Sequence, residues 1–232
     1  MQRFIQRELL DELPAEDPRA VQSRRDLRRL NVWMGHVGIM QRTLTRVRSR
    51  PGPLRIVELG AGDGTFLLRL ARSSPWRGRQ TAALLVDRQN LVTAQTRAEM
   101  ASISWQVDTM QADVFDWLEK AVNRSADVII ANLFLHHFSE DALRTLFADL
   151  AERADFFAAC EPRRSRWVLT ASKLIRLIGC NDVSRHDAEA SVRAGFLGKE
   201  LSALWPQDGE WVLTEERAGL FTHCFAARRL AG

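Results

Sequence analysis

From Leu54 onward the chain alternates short, largely apolar runs with helical stretches, and this alternation restricts it to a parallel sheet covered by helices on both faces. LRIVEL (54–59), AALLVD (82–87), a stretch from Trp105 to Ala112, DVIIAN (127–132) and ADFFAAC (154–160) have strand length. Between them, TFLLRLARS, NLVTAQTRAEM, DWLEKAV and EDALRTLFADLAER carry apolar residues at helical spacing. Two more strand-like runs close the chain, EWVLTEE (210–216) and LFTHCFAARR (220–229), and Ala218-Gly219 between them predicts an antiparallel hairpin. Residues 163 to about 206 read as a longer, mostly helical excursion.

Residues 1–50 are helical in pattern. Val21, Leu27, Leu30 and Trp33 recur at helical spacing behind Asp17-Pro18, which suits a cap and first turn, and a second helix is expected over about Gly38 to Arg48. Arg50-Pro51-Gly52-Pro53 then breaks the pattern. The expected organisation is a helical N-terminal cap over 1–50 and one α/β domain over 51–232, because 232 residues are too few for two ordinary enzymatic domains.

Composition narrows the setting. With 46% apolar and 27% charged residues the chain is globular, and no 18-residue apolar run predicts a membrane span. The opening MQRFIQRELLDELP lacks the apolar region and cleavage site of a signal peptide, so a cytoplasmic protein is expected. Cys160, Cys180 and Cys224 form no CxxC pair; neither a disulfide framework nor a metal site is signalled, and none is expected. The net charge of +4 is spread along the sequence as arginine, which describes a solvated surface better than a nucleic-acid footprint.

The turn after the first strand is VELGAGDGTF, with glycines at 60, 62 and 64. A glycine turn between a parallel strand and a helix lies where open α/β sheets bind ligands. It has no Lys-Ser/Thr for a phosphate loop, and a dinucleotide fingerprint counted from Gly60 finds Thr65 at its last glycine. Carboxylates at Glu58 and Asp63 would oppose a pyrophosphate and favour a phosphate-free cation.

Glu58-x-Gly60-x-Gly62-x-Gly64 closely resembles the first motif of class I S-adenosylmethionine-dependent methyltransferases. Asp87, at the end of the second strand, is similar to the family's ribose-binding acid. Gln111-Ala112-Asp113-Val114 resembles the motif whose acid takes the adenine amino group, and Asp127 to Phe138 resembles the fourth-strand motif of members acting on small molecules. The resemblance covers about residues 54–160 and 210–229. It implies a Rossmann-like seven-stranded sheet of order 3-2-1-4-5-7-6 with strand 7 antiparallel. It also implies S-adenosylmethionine held by Glu58, Gly60, Ala61, Gly62, Gly64, Asp87, Arg88, Asp113, Val114, Asn132 and Leu133.

The acceptor is less constrained. Ala131-Asn132-Leu133-Phe134 stands where nucleic-acid and protein amide N-methyltransferases carry Asn/Asp-Pro-Pro-Tyr/Phe, and Cys160-Glu161-Pro162 runs against the Pro-Cys order of C5 enzymes. The resemblance therefore points to a small, fairly apolar aromatic or polyketide-like acceptor, methylated on oxygen or, as an alternative, on a carbon or an amine; a monomer or homodimer is expected as the working unit. Trp33, Met34, His36 and Phe196 are expected to shape its pocket. The general-base candidates are His186, beside Asp187 and able to take a phenol proton near neutral pH, and the pair His136 and His137, with His36 a fourth. An RNA-modifying methyltransferase, suggested by Arg24-Arg25-Asp26-Leu27-Arg28-Arg29, and a non-catalytic protein that keeps the cofactor fold are the alternatives.

Overall fold

A computed structural model describes residues 1–47, 52–73, 76, 78–120, 126–173, 175 and 178–230. Arg48 of the expected second helix, Arg50-Pro51 of the expected joint, and Ala121-Val122 of the expected DWLEKAV helix lie outside the described residues. The strands are β1 (Leu54–Leu59), β2 (Thr81–Asp87), β3 (Trp105–Gln111), β4 (Ala126–Asn132), β5 (Ala154–Pro162), β6 (Trp211–Ala218) and β7 (Thr222–Arg229). They form one sheet of order β3-β2-β1-β4-β5-β7-β6, with β7 antiparallel to both neighbours and the other pairs parallel. This is the order that the family resemblance implies.

Strand periodicity divides the core into two layers. Phe156, Ala158 and Cys160 of β5 face one layer with Ile56 and Ile130; Phe157 and Ala159 face the other with Val57 and Ile129. The first layer is covered by α3 (His36–Leu44), α4 (Thr65–Ser73) and α5 (Ala94–Ala101), the second by α6 (Val114–Lys120), α7 (Glu140–Arg153) and the turns around Trp205. Trp205, Phe147, Phe157 and Phe225 pack with ring centroids 5.1 to 6.1 Å apart, which ties the hairpin to α7.

Caps decide several helix starts. Asp17 accepts from Arg19 N at 2.8 Å and opens α2 (Pro18–Trp33), and Ser139 accepts from Ala142 N at 3.2 Å to open α7. Thr93 accepts from Thr96 N at 3.1 Å, so the helix expected from Asn90 begins only at Ala94. The helix expected from Gly38 instead spans His36–Leu44, launched by the left-handed Gly35. A four-residue helix α1 (Leu9–Glu12) precedes α2, and α8 (Arg166–Lys173) and α9 (Asp182–Ala194) make up most of the excursion after β5. No helix among the described residues is long and apolar enough to cross a membrane.

Gly195 lets the end of α9 return to the sheet. Phe196 N donates to Pro162 O at 2.9 Å, and a Cβ on Gly195 would lie 2.2 Å from that same carbonyl oxygen. Gly195→Ala is therefore expected to cost about 1–3 kcal/mol through overpacking, read as a lowered midpoint in thermal unfolding.

Candidate cofactor and acceptor cleft

β1 is followed by a crossover to β2 on one side, while its other neighbour is β4; the crevice at the carboxyl ends of these strands is a topological switch point. The glycine turn forms its floor. Gly60, Gly62 and Gly64 have φ of +65°, +54° and +73°, a region that side chains rarely enter. A Cβ on Gly60 would come within 2.4 Å of the Phe134 ring, whereas one on Gly62 would meet nothing within 4 Å, so Gly62 presents bare backbone to the cleft. Gly62 N donates to Asp87 Oδ2 at 2.8 Å and Gly60 N to Val86 O at 2.9 Å, which fix the turn to the end of β2.

The cleft is acidic on its cofactor side. Asp87 Oδ1 accepts from Gln89 N at 2.8 Å, and Asp113 Oδ1 accepts from Phe115 N at 2.9 Å at the start of α6. Both carboxylates line the cleft together with Ala61, Arg88, Val114, Asn132 and Leu133. Arg88 holds Asp11 of α1 at 2.9 Å, and Arg28 of α2 pairs with Asp63 in the glycine turn. Gly64, packed below the turn against Leu85 and Thr96, shapes the loop.

Glu58 tests the fit to S-adenosylmethionine. Its carboxyl is buried at the end of β1 and lines the cleft, and its Oε2 finds no hydrogen-bond partner among the described residues. Burial, then the charges of Asp63 and Asp87, push its pKa well above the usual carboxylate range. A ligand bearing a sulfonium and an ammonium relieves this strain, and one bearing a pyrophosphate aggravates it. The donors present would suit such a ligand: Glu58 toward its cationic end, Asp87 toward vicinal hydroxyls and Asp113 toward an amino group.

Opposite the glycine turn lies a cluster that the sequence only half revealed. His136 and His137 occupy a 3-10 turn (Leu135–His137) after β4, with their rings 4.3 Å apart. Glu161, at the end of β5 and fully buried, accepts from Phe134 N, Leu135 N and His136 N at 3.0, 2.8 and 3.3 Å and from His136 Nδ1 at 2.7 Å. Glu8, from the N-terminal strap, meets His136 Nε2 at 3.2 Å and also accepts from Ser191 of α9. Burial works against a charged His136, but the two carboxylates outweigh it and raise the imidazole to about 9, while its hydrogen bond outweighs burial to lower Glu8 to about 2. His137 is lowered, first by burial and then by the neighbouring His136 charge. No site role was expected of Glu8 or of Glu161 in Cys160-Glu161-Pro162, because they stand 128 and 25 residues from His136.

The remaining expected site residues fall elsewhere. His186 bonds Asp187 at 3.0 Å and Gln6 at 3.1 Å on α9 and does not line the cleft. Trp33 is 69% exposed at the end of α2, and Met34 beside it is also outside the lining. Phe196 is buried in the core beneath the Arg3 guanidinium. His36 is buried, its pKa lowered to about 4 by burial, and joins Asn132 Oδ1 at 2.7 Å to Thr222 Oγ1 at 2.9 Å. It therefore orients the cleft residue Asn132 without reaching the cleft itself.

Two outcomes follow. Asp87→Ala removes a charged acceptor and should weaken S-adenosylhomocysteine binding about tenfold to a hundredfold in calorimetry, corresponding to about 1.5–3 kcal/mol. The Glu58 pKa is raised by burial and by the charges of Asp63 and Asp87, and a bound cation would lower it, so binding should release protons and weaken as pH falls. The heat measured in buffers of different ionisation enthalpy reads this release, and Glu58→Gln should abolish it.

Residues 56–154 match the family described as methyltransferase domain. An uncharacterised methyltransferase of Mycobacterium tuberculosis is 33% identical over 86 residues, 37% of this chain, and the matched stretch spans only 38% of that relative's length. Among solved structures, an O-methyltransferase family protein from Burkholderia thailandensis superposes with a TM-score of 0.61 at 17% identity, over 94% of this chain and 62% of that one. Magnesium protoporphyrin IX methyltransferase from Synechocystis, with bound S-adenosylmethionine, gives 0.53 at 13% identity over 96% and 88%. The matched segment, with the strand order and an acidic cleft suited to a cation, is similar to a methyltransferase domain, the kind of domain whose cofactor is S-adenosylmethionine.

Proposed function

We propose that this chain transfers the methyl group of S-adenosylmethionine to a hydroxyl of a small, fairly apolar acceptor, aromatic or polyketide-like. The observation that carries the reading is the composition of the acceptor side. Leu133, Phe134 and Phe138 form an apolar wall, with Phe134 and Phe138 edge to face at 5.0 Å, and the strap residues Ile5, Glu8 and Leu10 close over it. A flat apolar ring suits such a wall, and its polar atom would be met by His136, His137 and Glu8. The bound cofactor supplies an already activated methyl group; the protein's task is to align the acceptor oxygen and lower the cost of its anion. His186 is left out of this assignment because it does not line the cleft.

The arginines of α2 give little to the RNA-modifying alternative. Arg24 donates to Ala15 O, Arg28 pairs with Asp63 and Arg29 lies 3.6 Å from Asp26, so three of the four arginines between Arg24 and Arg29 are committed within the chain. A non-catalytic role is opposed by Glu58, whose buried acid has a use only if a cation visits.

The test is a screen with methyl-labelled S-adenosylmethionine against hydroxylated aromatics, aliphatic alcohols, amines and folded RNA. Label is expected in a hydroxyaromatic compound at the stoichiometry of S-adenosylhomocysteine formed. Label confined to RNA or to amines, or cofactor binding with no transfer to any acceptor, would overturn the assignment.

A further inference from the structure

Glu8, His136 and His137 come from two segments far apart in sequence, yet each offers a ligand atom within 4.8 Å of the other two. We propose that these three residues form a binding site for a divalent transition-metal ion, zinc in type, on the acceptor side of the cleft. The inference rests on the proposed methyl-transfer reading only for its use, not for its chemistry.

Three features support the assignment. Two imidazoles and one carboxylate are a ligand set used by catalytic zinc, which leaves a further position open. His136 already has the support that a metal-bound histidine needs: Nδ1 faces the buried Glu161 at 2.7 Å, which fixes the ring and leaves Nε2 as the ligand atom. The spacing of the remaining pair is the third. Charge-assisted N–H to carboxylate contacts are about 2.7–2.9 Å, as the Glu161 contact is, but His136 Nε2 and Glu8 Oε1 stand 3.2 Å apart. Two atoms bound to one tetrahedral ion at about 2.0–2.2 Å lie about 3.3–3.6 Å from each other, nearer to that value.

The surroundings delimit the site. Ser191 donates to Glu8 and holds it in place, and Asp11, 3.9 Å from His137 Nδ1, is engaged by Arg88 and stays outside the donor set. All three proposed ligands line the cleft beside Phe134 and Phe138. An ion there would act as a Lewis acid on the acceptor's oxygen, stabilising its anion at neutral pH while the proton passes to solvent.

The experiment uses the full chain without a histidine tag, freed of metal by chelation, and titrated with Zn²⁺, with Co²⁺ as a visible probe and with Mg²⁺ as a hard-ion comparison. One Zn²⁺ per chain, Co²⁺ bands of four-coordinate intensity and no Mg²⁺ uptake are expected. Glu8→Gln and His137→Asn should lose stoichiometric binding, and Glu161→Gln should weaken it about 10–100-fold. Failure of the wild type to take up Zn²⁺, or uptake unchanged in Glu8→Gln and His137→Asn, would overturn the site. S-adenosylhomocysteine calorimetry on the same samples separates the readings: cofactor binding without metal removes only the ion, and metal without cofactor binding removes the methyl-transfer reading.

Discussion

The acceptor side of this molecule depends on one buried carboxylate. Glu161 ends β5 in the centre of the sheet and accepts three backbone N–H groups of the turn after β4, which would otherwise be buried donors without partners. That turn carries Phe134 beneath the glycine loop and His136 into the cleft. A neutral side chain there would satisfy fewer donors and leave His136 unsupported, so the shape of the acceptor wall and the orientation of the imidazole share one cause.

That the glycine turn, Asp87 and Asp113 belong to strand ends was readable in the sequence because the signals are local, and the structure brings them to one crevice. The glycine turn, Asp87 and Asp113 each sit at the end of a strand, and strand ends are marked by the switch from apolar run to turn residues. Strand order added the rest: once β1 lies between β2 and β4, their carboxyl ends converge on one crevice. Even Glu58, odd as an acid within an apolar strand, announced itself by its residue type.

The acceptor side was legible only in part, for the opposite reason. His136 and His137 lie next to a strand end and were visible; Glu8 belongs to a strap whose position is set by tertiary contacts. Leu9 N and Leu10 N donate to Asp187 at 2.8 and 3.0 Å, and Arg3 donates to Ala194 O and Phe138 O. Nothing in the local pattern of MQRFIQRELL specifies partners nearly 180 residues away. The same blindness made His186-Asp187 look like a catalytic pair: its acid is occupied by backbone N–H groups of the strap, a role with no sequence signature. Trp33 and Phe196 were ambiguous because an aromatic residue at helical spacing reads alike whether it faces solvent, core or cleft.

The strap's anchoring has a consequence for how the protein comes together. Residues 3 to 10 are among the earliest made, but their partners on α9, Asp187, Ser191, Arg193 and Ala194, are made much later. Contacts of such long sequence separation are slow to form, since the loop they close must be ordered first. The sheet and its glycine turn can therefore assemble while the strap is still undocked, and the acceptor side matures last. Strands β1 to β5 and the glycine turn all precede α9 in the chain, so the residues lining the crevice floor are made before the strap has its partners.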